Sequence, residues 1–197
     1  MEKRKKKNTW RICSFLLVFM AVGILFSRMN VNAATQTKKK KVLVVYFSVT
    51  GTTKGAAKKI KKATNGTLYQ IKAKNPYTKE DINYNYEQCR ANVEQNNGKV
   101  RPEIKGKIKG IRKYDVIFVG YPIWWGKEPM IIRTFLESYN LKGKKIVPFC
   151  TSGGSGISGS MAEIKASAKG AKKKKGRDLT DASQKEVKSW AKKISNK

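Results

Sequence analysis

The stretch "VLVVYFSVTGTTKG", residues 42–55, joins an apolar run to a loop that is rich in hydroxyl side chains. The unbroken apolar run, residues 42–47, predicts a strand that is buried on both faces of a parallel sheet. Four apolar residues then recur at helical spacing and predict a helix: Ala56, Ala57, Ile60 and Ala63. A strand, a loop and a helix in this order predict an anion site, because the first N–H groups of a helix have no partners within it.

The loop follows neither of the two common patterns for phosphate loops. The triphosphate pattern GxxxxGK[ST] uses a lysine and a bound metal, and the dinucleotide pattern is GxGxxG. Here hydroxyls stand in place of that lysine and metal, which favours a terminal phosphate that is bound and never transferred. The candidate phosphate ligands are Ser48, Thr50, Gly51, Thr52 and Thr53. A hydroxyl-rich turn without a ligand is the alternative.

The rest of the chain alternates predicted strands with predicted helices. Further strands are predicted at residues 67–72, 114–120 and 145–150, with a fifth, edge strand within 170–179. Helices are predicted at 77–97, at 128–139, within 155–168 and after a capping box formed by Ser183 and Glu186. This alternation predicts an open α/β sheet.

Two further loops follow predicted strands, at the carboxyl ends where ligands bind in open parallel sheets. "GYPIWWGKEP" (120–129) contains two adjacent tryptophans, and such rings outside the core favour a flat, conjugated ligand. Packing of one or both rings in the core is the alternative. "TSGGSGISG" (151–159) has clustered glycines that let the backbone approach a ligand closely. It also spells GxGxxG, which we interpret as coincidental because that pattern belongs after the first strand.

Taken together, the three loops resemble the flavin site of the flavodoxin family. The resemblance rests on "YFSVTGTT", "GYPIWWG" and "FCTSGGSG" in this order, and extends from about residue 41 to 160 and more weakly to 197. It implies a flavodoxin-like α/β fold, a three-layer sandwich with a five-stranded parallel sheet of order 2-1-3-4-5. It also implies non-covalently bound FMN, with the phosphate on the first loop. The residues implied to flank the flavin ring are Pro122, Ile123, Trp124, Trp125, Gly126, Ser152, Gly153 and Gly154.

The N-terminal segment has the pattern of a secretory signal peptide. A basic stretch precedes an apolar run of 15 residues, 12–26, and small residues at Val31 and Ala33 predict cleavage after Ala33. The run is shorter than the about 20 residues of a spanning helix, so an uncleaved membrane anchor is the less favoured alternative. We expect a secreted or extracytoplasmic, surface-associated protein. The predicted division is a signal peptide (1–33), a basic linker (34–41) and a flavodoxin-like domain (42–197).

The chain is strongly basic. Its formal net charge is +31, and removal of residues 1–33, which carry +6, leaves +25. A field of this size attracts anionic surfaces and polymers by a salt-sensitive, non-specific interaction. For an exported protein we expect anionic cell-wall polymer or membrane headgroups as partners, and no specific nucleic acid. A general preference for lysine at the surface is the alternative.

The sequence contains no histidine. This excludes Ser-His-Asp and Cys-His nucleophilic sites and the usual histidine-containing zinc sites, and we predict no metal site. If the chain is an enzyme, a cofactor is therefore expected to carry the chemistry. Export would permit a disulfide between Cys89 and Cys150, although a buried free thiol is favoured for Cys150, which ends an apolar strand pattern.

These observations predict an exported FMN-binding redox protein whose electron donor and acceptor are unidentified. It departs from ordinary flavodoxins, which are acidic, because a charge of +25 favours the reduced, anionic flavin and raises its potential. The signal peptide also separates it from cytoplasmic donors. Two alternatives stay open: a flavin-dependent reductase of quinones or other small molecules that uses NAD(P)H, and a basic module that binds anionic cell-wall polymer without flavin.

Overall fold

The structure is a computed structural model that describes residues 39–196. Its strands are β1 (Val42–Tyr46), β2 (Thr67–Gln70), β3 (Val116–Pro122), β4 (Lys145–Thr151), β5 (Lys172–Lys173) and β6 (Arg177–Asp178). All pairings are parallel, and the sheet has the predicted order 2-1-3-4-5, with β6 also on β4. The carboxyl ends of β1, β3 and β4 therefore lie side by side at one edge.

Helices cover both faces of this sheet. They are α1 (Thr52–Thr64), α2 (Arg90–Asn96), α3 (Met130–Glu137), α4 (Met161–Ser167) and α5 (Gln184–Asn196). Buried side chains of α1 and α5 pack on one face of the sheet, and those of α2, α3 and α4 pack on the other. The result is the predicted three-layer α/β sandwich.

The two cores follow from the period-two alternation of the strands. In β1, Leu43 and Val45 point to the face covered by α3, while Val44 points to the face covered by α1. All five residues of β1 are buried, as the unbroken apolar run predicts. Burial of each such side chain contributes about 1.5–3 kcal/mol to folding.

The predicted apolar face of α1 and the predicted start of α5 are both confirmed. Every apolar residue predicted for α1 is buried. Before α5, Ser183 donates its backbone N–H to Glu186 Oε2 at 2.8 Å, and Glu186 donates its own N–H to Ser183 Oγ at 3.3 Å. These reciprocal bonds satisfy two N–H groups that a helix start otherwise leaves free.

The prediction of a single helix over residues 77–97 is wrong. The segment forms a 3₁₀ turn at Glu80–Ile82, irregular turns, and only then α2. Thr78 and Asp81 exchange side-chain to backbone hydrogen bonds of 2.9 and 3.2 Å, which hold a local turn. Asn83 Oδ1 then accepts the N–H of Asn85 at 3.2 Å. Such local bonds from Thr, Asp and Asn compete with helix formation.

The predicted fifth strand lies at the sheet edge, but it is split into β5 and β6. Residues 174–176 separate the two pieces. A Cβ built on Gly176 would lie 2.6 Å from Ile157 Cδ1 and 3.1 Å from the carbonyl oxygen of Pro148, so a side chain here would require Ile157 to move. The sheet therefore has six strands in five positions.

The predicted signal peptide and cleavage site lie outside the described residues, as do the first five residues of the linker. Within residues 39–196, no helix is both long and apolar enough to span a bilayer. Cys89 and Cys150 are both free and buried, which confirms the interpretation of Cys150 as a buried thiol.

Candidate functional site

A cavity of about 300 Å³ opens at the carboxyl ends of β1, β3 and β4. It brings together residues from all three predicted loops. The predicted site residues that line it are Ser48, Thr50, Thr52, Thr53, Pro122, Ile123, Trp124, Ser152 and Gly153. This edge is the switch point of the sheet, where the connections from β1 and β3 leave in opposite directions.

Four predicted residues do not line the cavity but shape its loops. Gly51 precedes α1 with a φ of 99°, and Gly154 has a φ of 123°, both in a region that L side chains rarely adopt. Trp125 and Gly126 form the tip of the second loop. Their contribution to the cavity is therefore through backbone conformation or at its rim.

Four lining residues were not predicted: Val49, Ile82, Tyr84 and Thr151. Val49 lies in the first loop and Thr151 begins the third. The prediction named only other residues of these two loops. Ile82 and Tyr84 come from the segment that was predicted as a helix. Recognition of the Thr, Asp and Asn turn signals there would have placed Tyr84 in a loop.

The first loop presents the N-terminus of α1 to the cavity. Gly51 donates its N–H to Ser48 Oγ at 3.1 Å, and it has no side chain that could cap the helix. The next N–H groups of α1 lack helical partners and carry the positive end of the helix dipole. The first turn contains no acidic side chain that would occupy this position. The loop is thus suited to an anion.

The hydroxyls of the first loop play different parts. Thr50 and Thr52 are exposed, and their Oγ1 atoms lie 3.3 Å apart. Thr53 is buried, and its Oγ1 lies 2.7 Å from Oγ1 of Thr151 at the end of β4. That bond joins the first loop to the third, so Thr53 both lines the cavity and ties two of its walls together.

The second loop is a tight two-residue turn. Trp124 and Lys127 exchange backbone hydrogen bonds of 2.9 and 3.0 Å, and the residues between them, Trp125 and Gly126, have φ values of 48° and 74°. Two successive positive φ values are those of a type I′ turn. For a tryptophan this conformation is uncommon and costs of the order of 1–3 kcal/mol.

The two tryptophans have different environments. Trp124 is 3% exposed and packs edge-on against Phe47 and Tyr77, with ring centroids 5.7 and 5.3 Å away. Trp125 is 44% exposed, and its ring meets Tyr84 at 4.5 Å. Trp124 therefore belongs to the core and forms the cavity wall, whereas Trp125 and Tyr84 present an aromatic pair at the surface.

Buried polar groups hold the second loop from behind. Gln95 of α2 donates its amide to the carbonyls of Trp124 and Glu128, at 3.0 and 3.2 Å. The fully buried Glu128 accepts a bond of 2.7 Å from Nε of Arg133, whose Nη1 lies 3.3 Å from Glu163. Burial raises the pKa of Glu128, and the bond from Arg133 only partly offsets this effect.

The third loop is organised around Ser152. Its hydroxyl donates to Asp178 Oδ2 at 2.6 Å and accepts the N–H of Gly156 at 3.1 Å. Thr180 accepts the N–H of Ser152 at 2.8 Å. Burial of Asp178 acts to raise the pKa of this carboxyl, but the bonds from Ser152 and Thr180 outweigh it and lower the pKa. Ser152 therefore fixes the loop, and the exposed backbone of Gly153 faces the cavity.

The second and third loops touch directly. A Cβ built on Gly159 would lie only 2.3 Å from the carbonyl oxygen of Gly126. Only glycine allows this approach, because real Cβ atoms do not come so close to a backbone oxygen. The position of the Trp125–Gly126 turn thus depends on the loop after β4.

The model of a protein family described as flavodoxin matches residues 41–194, and so includes every part of this site. The chain belongs to the flavodoxin family. Membership confirms the resemblance drawn from the three loop motifs, and the order of the sheet agrees with it.

Solved structures similar to this flavodoxin include two from Bacteroides that are provisionally assigned as flavoproteins. The one from Bacteroides eggerthii is 45% identical, covers 80% of this chain and 99% of its own, and has a TM-score of 0.76. The one from Bacteroides uniformis is 42% identical, covers 79% and 99%, and has a TM-score of 0.75.

A third similar structure, a flavoprotein of Lactobacillus acidophilus in complex with FMN, shares the fold. It is 24% identical, covers 77% of this chain and 99% of its own, and has a TM-score of 0.56. No curated protein matches the chain.

The side chains that line the cavity offer little acid–base chemistry of their own. Tyr84 is the only titratable residue among those of residues 39–196 that line it, and the partial burial of its ring raises its pKa. The remaining walls are hydroxyl, apolar and backbone groups. The arrangement is suited to holding a ligand in a fixed orientation.

Proposed function

We propose that this flavodoxin binds FMN non-covalently and functions in electron transfer. The observation that carries the proposal is the meeting of a hydroxyl-rich helix N-terminus, an aromatic turn and a glycine-serine loop around one cavity. The first of these suits the phosphate of FMN, and the other two suit its flat ring.

The phosphate would bind at the first loop. The N–H groups at the start of α1 and the exposed hydroxyls of Thr50 and Thr52 are donors, and the helix dipole favours a negative charge there. None of the lysines and carboxylates within residues 39–196 lines the cavity, so neither the triphosphate chemistry of a Walker loop nor a metal is called for.

The flavin ring would bind between the second and third loops. Pro122, Ile123 and Trp124 form an apolar wall, and Gly153 presents backbone without a side chain on the other side. Trp125 and Tyr84, at the rim, can cover a flat ring and exclude water from it.

When bound, FMN supplies the redox chemistry, since it accepts and passes on electrons. The contribution of this chain is to hold the phosphate, orient the ring and set its electrostatic surroundings. A mature net charge of +25 stabilises negative charge on the reduced flavin, and we therefore infer a higher potential than that of acidic flavodoxins.

The test compares FMN with riboflavin, which lacks the phosphate. Titration of the protein into FMN is expected to quench flavin fluorescence, and riboflavin is expected to bind at least about tenfold more weakly because it lacks the charge-assisted hydrogen bonds. Thr52→Ala should weaken FMN and leave riboflavin nearly unchanged. Thr64→Ala, at the other end of α1, is the control. If the protein quenches the fluorescence of neither FMN nor riboflavin, the proposal is refuted.

Turnover separates a carrier from a reductase. If the protein only carries electrons, NAD(P)H and a quinone should give no steady-state turnover in the presence of FMN. Sustained oxidation of NAD(P)H would instead identify the reductase.

We further propose that the protein is exported, with cleavage after Ala33, and associates with the cell surface through its positive charge. The basic–apolar–small pattern of residues 1–33 supports this. N-terminal sequencing of the extracytoplasmic protein should begin at Ala34. If the protein instead keeps residues 12–26 and stays in the membrane fraction, this segment is an uncleaved anchor.

A further inference from the structure

A second cavity, of about 680 Å³, lies at the opposite edge of the sheet. Its lining includes the first residue of β3 and of β4, Val116 and Lys145, and the first residue of β5, Lys172. The cavity of about 300 Å³ that we propose for FMN, called the flavin cavity from here on, lies at the carboxyl ends of the same strands. Because β4 has seven residues, the two cavities are separated by about 20 Å at 3.3 Å per residue.

Lysines dominate this second cavity, which we call the lysine cavity. Seven of its twelve lining residues are lysines, and they come from the segment before β1, from the start of β4 and the residue before it, from the segment 172–175 and from α5. Within residues 39–196, none of the seven forms an ion pair with a carboxylate. Asp115 is the one acidic residue of the lining, and its Oδ2 accepts the backbone N–H of Lys41 at 2.7 Å.

The lysines lie close enough to repel one another. Lys145 donates to the carbonyl of Ile194 at 3.1 Å. Burial lowers the pKa of Lys145, and the positive charges of Lys40, Lys174 and Lys172 lower it further. Like charges gathered around a concave surface raise the potential there, and a multivalent anion would relieve that repulsion.

One wall of the lysine cavity is apolar. Trp190 and Ile194 of α5 line it together with Val116. Trp190 is held in place by an edge-on contact with Phe118, with ring centroids 5.4 Å apart. A ligand with carbon segments between its anionic groups can therefore contact this wall while its charges meet the ammonium groups.

We propose that the lysine cavity binds a stretch of a poly(polyol phosphate), a flexible anionic polymer in which short carbon chains link successive phosphodiesters. A single phosphate would engage few of the seven ammonium groups, whereas successive phosphates of a polymer can engage several, and the units between them can contact Trp190. A flat bilayer does not enter a concave cavity of this volume. The bound polymer would leave the flavin edge exposed to redox partners, and the proposal does not depend on flavin binding.

The test measures binding of fluorescein-labelled poly(glycerol phosphate) by anisotropy at a fixed, near-physiological salt concentration. The variant Lys172→Gln/Lys174→Gln/Lys193→Gln removes three exposed lysines of the cavity. The control Lys58→Gln/Lys61→Gln/Lys62→Gln removes three exposed lysines of α1 and changes the net charge equally. We expect the cavity variant to bind at least about tenfold more weakly than the control, because it loses direct charge-assisted contacts.

Equal weakening by the two variants would overturn the proposal, since the polymer would then sense only the overall charge. No weakening by either variant would overturn it too. Capture by phosphatidylglycerol vesicles or duplex DNA without binding of the polymer would likewise count against it. Thermal melts check folding, and the FMN affinity of both variants should equal that of the wild type.

Discussion

Thr53 is the residue through which two loops of the flavin cavity are joined. Its side chain is 1% exposed, and its hydroxyl bond to Thr151, at 2.7 Å, is buried. Thr53→Val keeps the shape of the side chain but leaves the Thr151 hydroxyl without this partner. We expect a loss of about 1–3 kcal/mol in the free energy of unfolding, measured in urea.

A double-mutant cycle makes the Thr53 prediction sharper. Thr53→Val/Thr151→Val removes both hydroxyls and should recover much of the lost stability, because no buried hydroxyl then lacks its partner. Thr52→Val, at an exposed neighbour, should have little effect. If Thr53→Val alone were as stable as the wild type, the bond between Thr53 and Thr151 would contribute nothing to the free energy of unfolding.

Glu128 should make stability depend on pH. Burial raises the pKa of Glu128 above the usual value of about 4.3 in the folded state. The folded protein thus holds this proton more tightly than the unfolded chain does. The stabilisation is fully present below the unfolded pKa and is lost as pH rises through the folded pKa. Relative to Glu128→Gln, the wild type should therefore lose stability as pH rises above the unfolded pKa of about 4.3.

Urea unfolding of both proteins at several pH values measures this difference. The relevant quantity is the change in the stability gap with pH, because the loss of the bond to Arg133 shifts the gap at every pH. A gap that changes in the wild type's favour as pH rises would show that Arg133 outweighs burial.

For single residues, the sequence predicts which side chains belong to the site better than it predicts how those side chains are oriented. The pair Trp124 and Trp125 could be recognised as unusual, but nothing in the letters distinguishes the buried ring from the exposed one. That difference arises from positive φ values at Trp125 and Gly126, which turn the second ring outward. The burial of Glu128 was not predictable either. In the sequence alone, Glu128 and its partner Arg133 each resemble an exposed charged residue.

At the element scale, the contact between Gly159 and Gly126 fixes the two loops that would face the flavin ring. Gly159→Ala places a Cβ against a backbone oxygen that now lies 2.3 Å from that position. We expect a loss of about 1–3 kcal/mol in stability from this overpacking. FMN affinity should fall as well, because the Trp125–Gly126 turn must move.

Gly98→Ala is the matched control for Gly159→Ala. In the described part of the chain, no atom other than those of its two chain neighbours lies within 4 Å of a Cβ built on Gly98, and its φ is not positive. It should change neither stability nor flavin quenching appreciably. Unfolding in urea and FMN titration of both variants give the comparison. If Gly159→Ala lowers stability but leaves flavin quenching normal, the contact with Gly126 stabilises the fold without positioning the loops for FMN, and the affinity prediction is wrong.

The elements that the sequence predicts well are those with long periodic patterns. β1 and α1 carry unbroken or regular apolar positions, so their type and their buried face are correct. Residues 77–97 lack such a pattern, and the local bonds of Thr78, Asp81 and Asn83 decide their structure. Because residues 77–97 were predicted to be one helix, Tyr84 was not predicted as a site residue, although it lines the flavin cavity.

At the scale of the whole molecule, the dominant feature is the positive charge, +31 for the full sequence. A positive field of this size, or of +25 after the proposed cleavage at Ala33, should stabilise the reduced, anionic flavin. Salt screens such a field over a Debye length of about 10 Å at 0.1 M. The midpoint potential of bound FMN should therefore fall as ionic strength is raised. A potential that rises with salt in a spectroelectrochemical titration would contradict this account.

The arrangement of the whole fold was predictable because the three loop motifs occur in a fixed order along alternating strands and helices. Family membership and the sheet order both agree with that prediction. The lysine cavity was not predictable, because its lysines are scattered from residue 40 to residue 193 and meet only in the folded chain.

The absorbance spectrum of the protein after incubation with FMN and removal of free flavin tests the central claim most directly. We predict that the flavin bands remain with the protein at one FMN per chain, shifted from those of free FMN by the surrounding loops. Protein that elutes colourless, with all FMN in the small-molecule fraction, would contradict the assignment of this cavity as a flavin site.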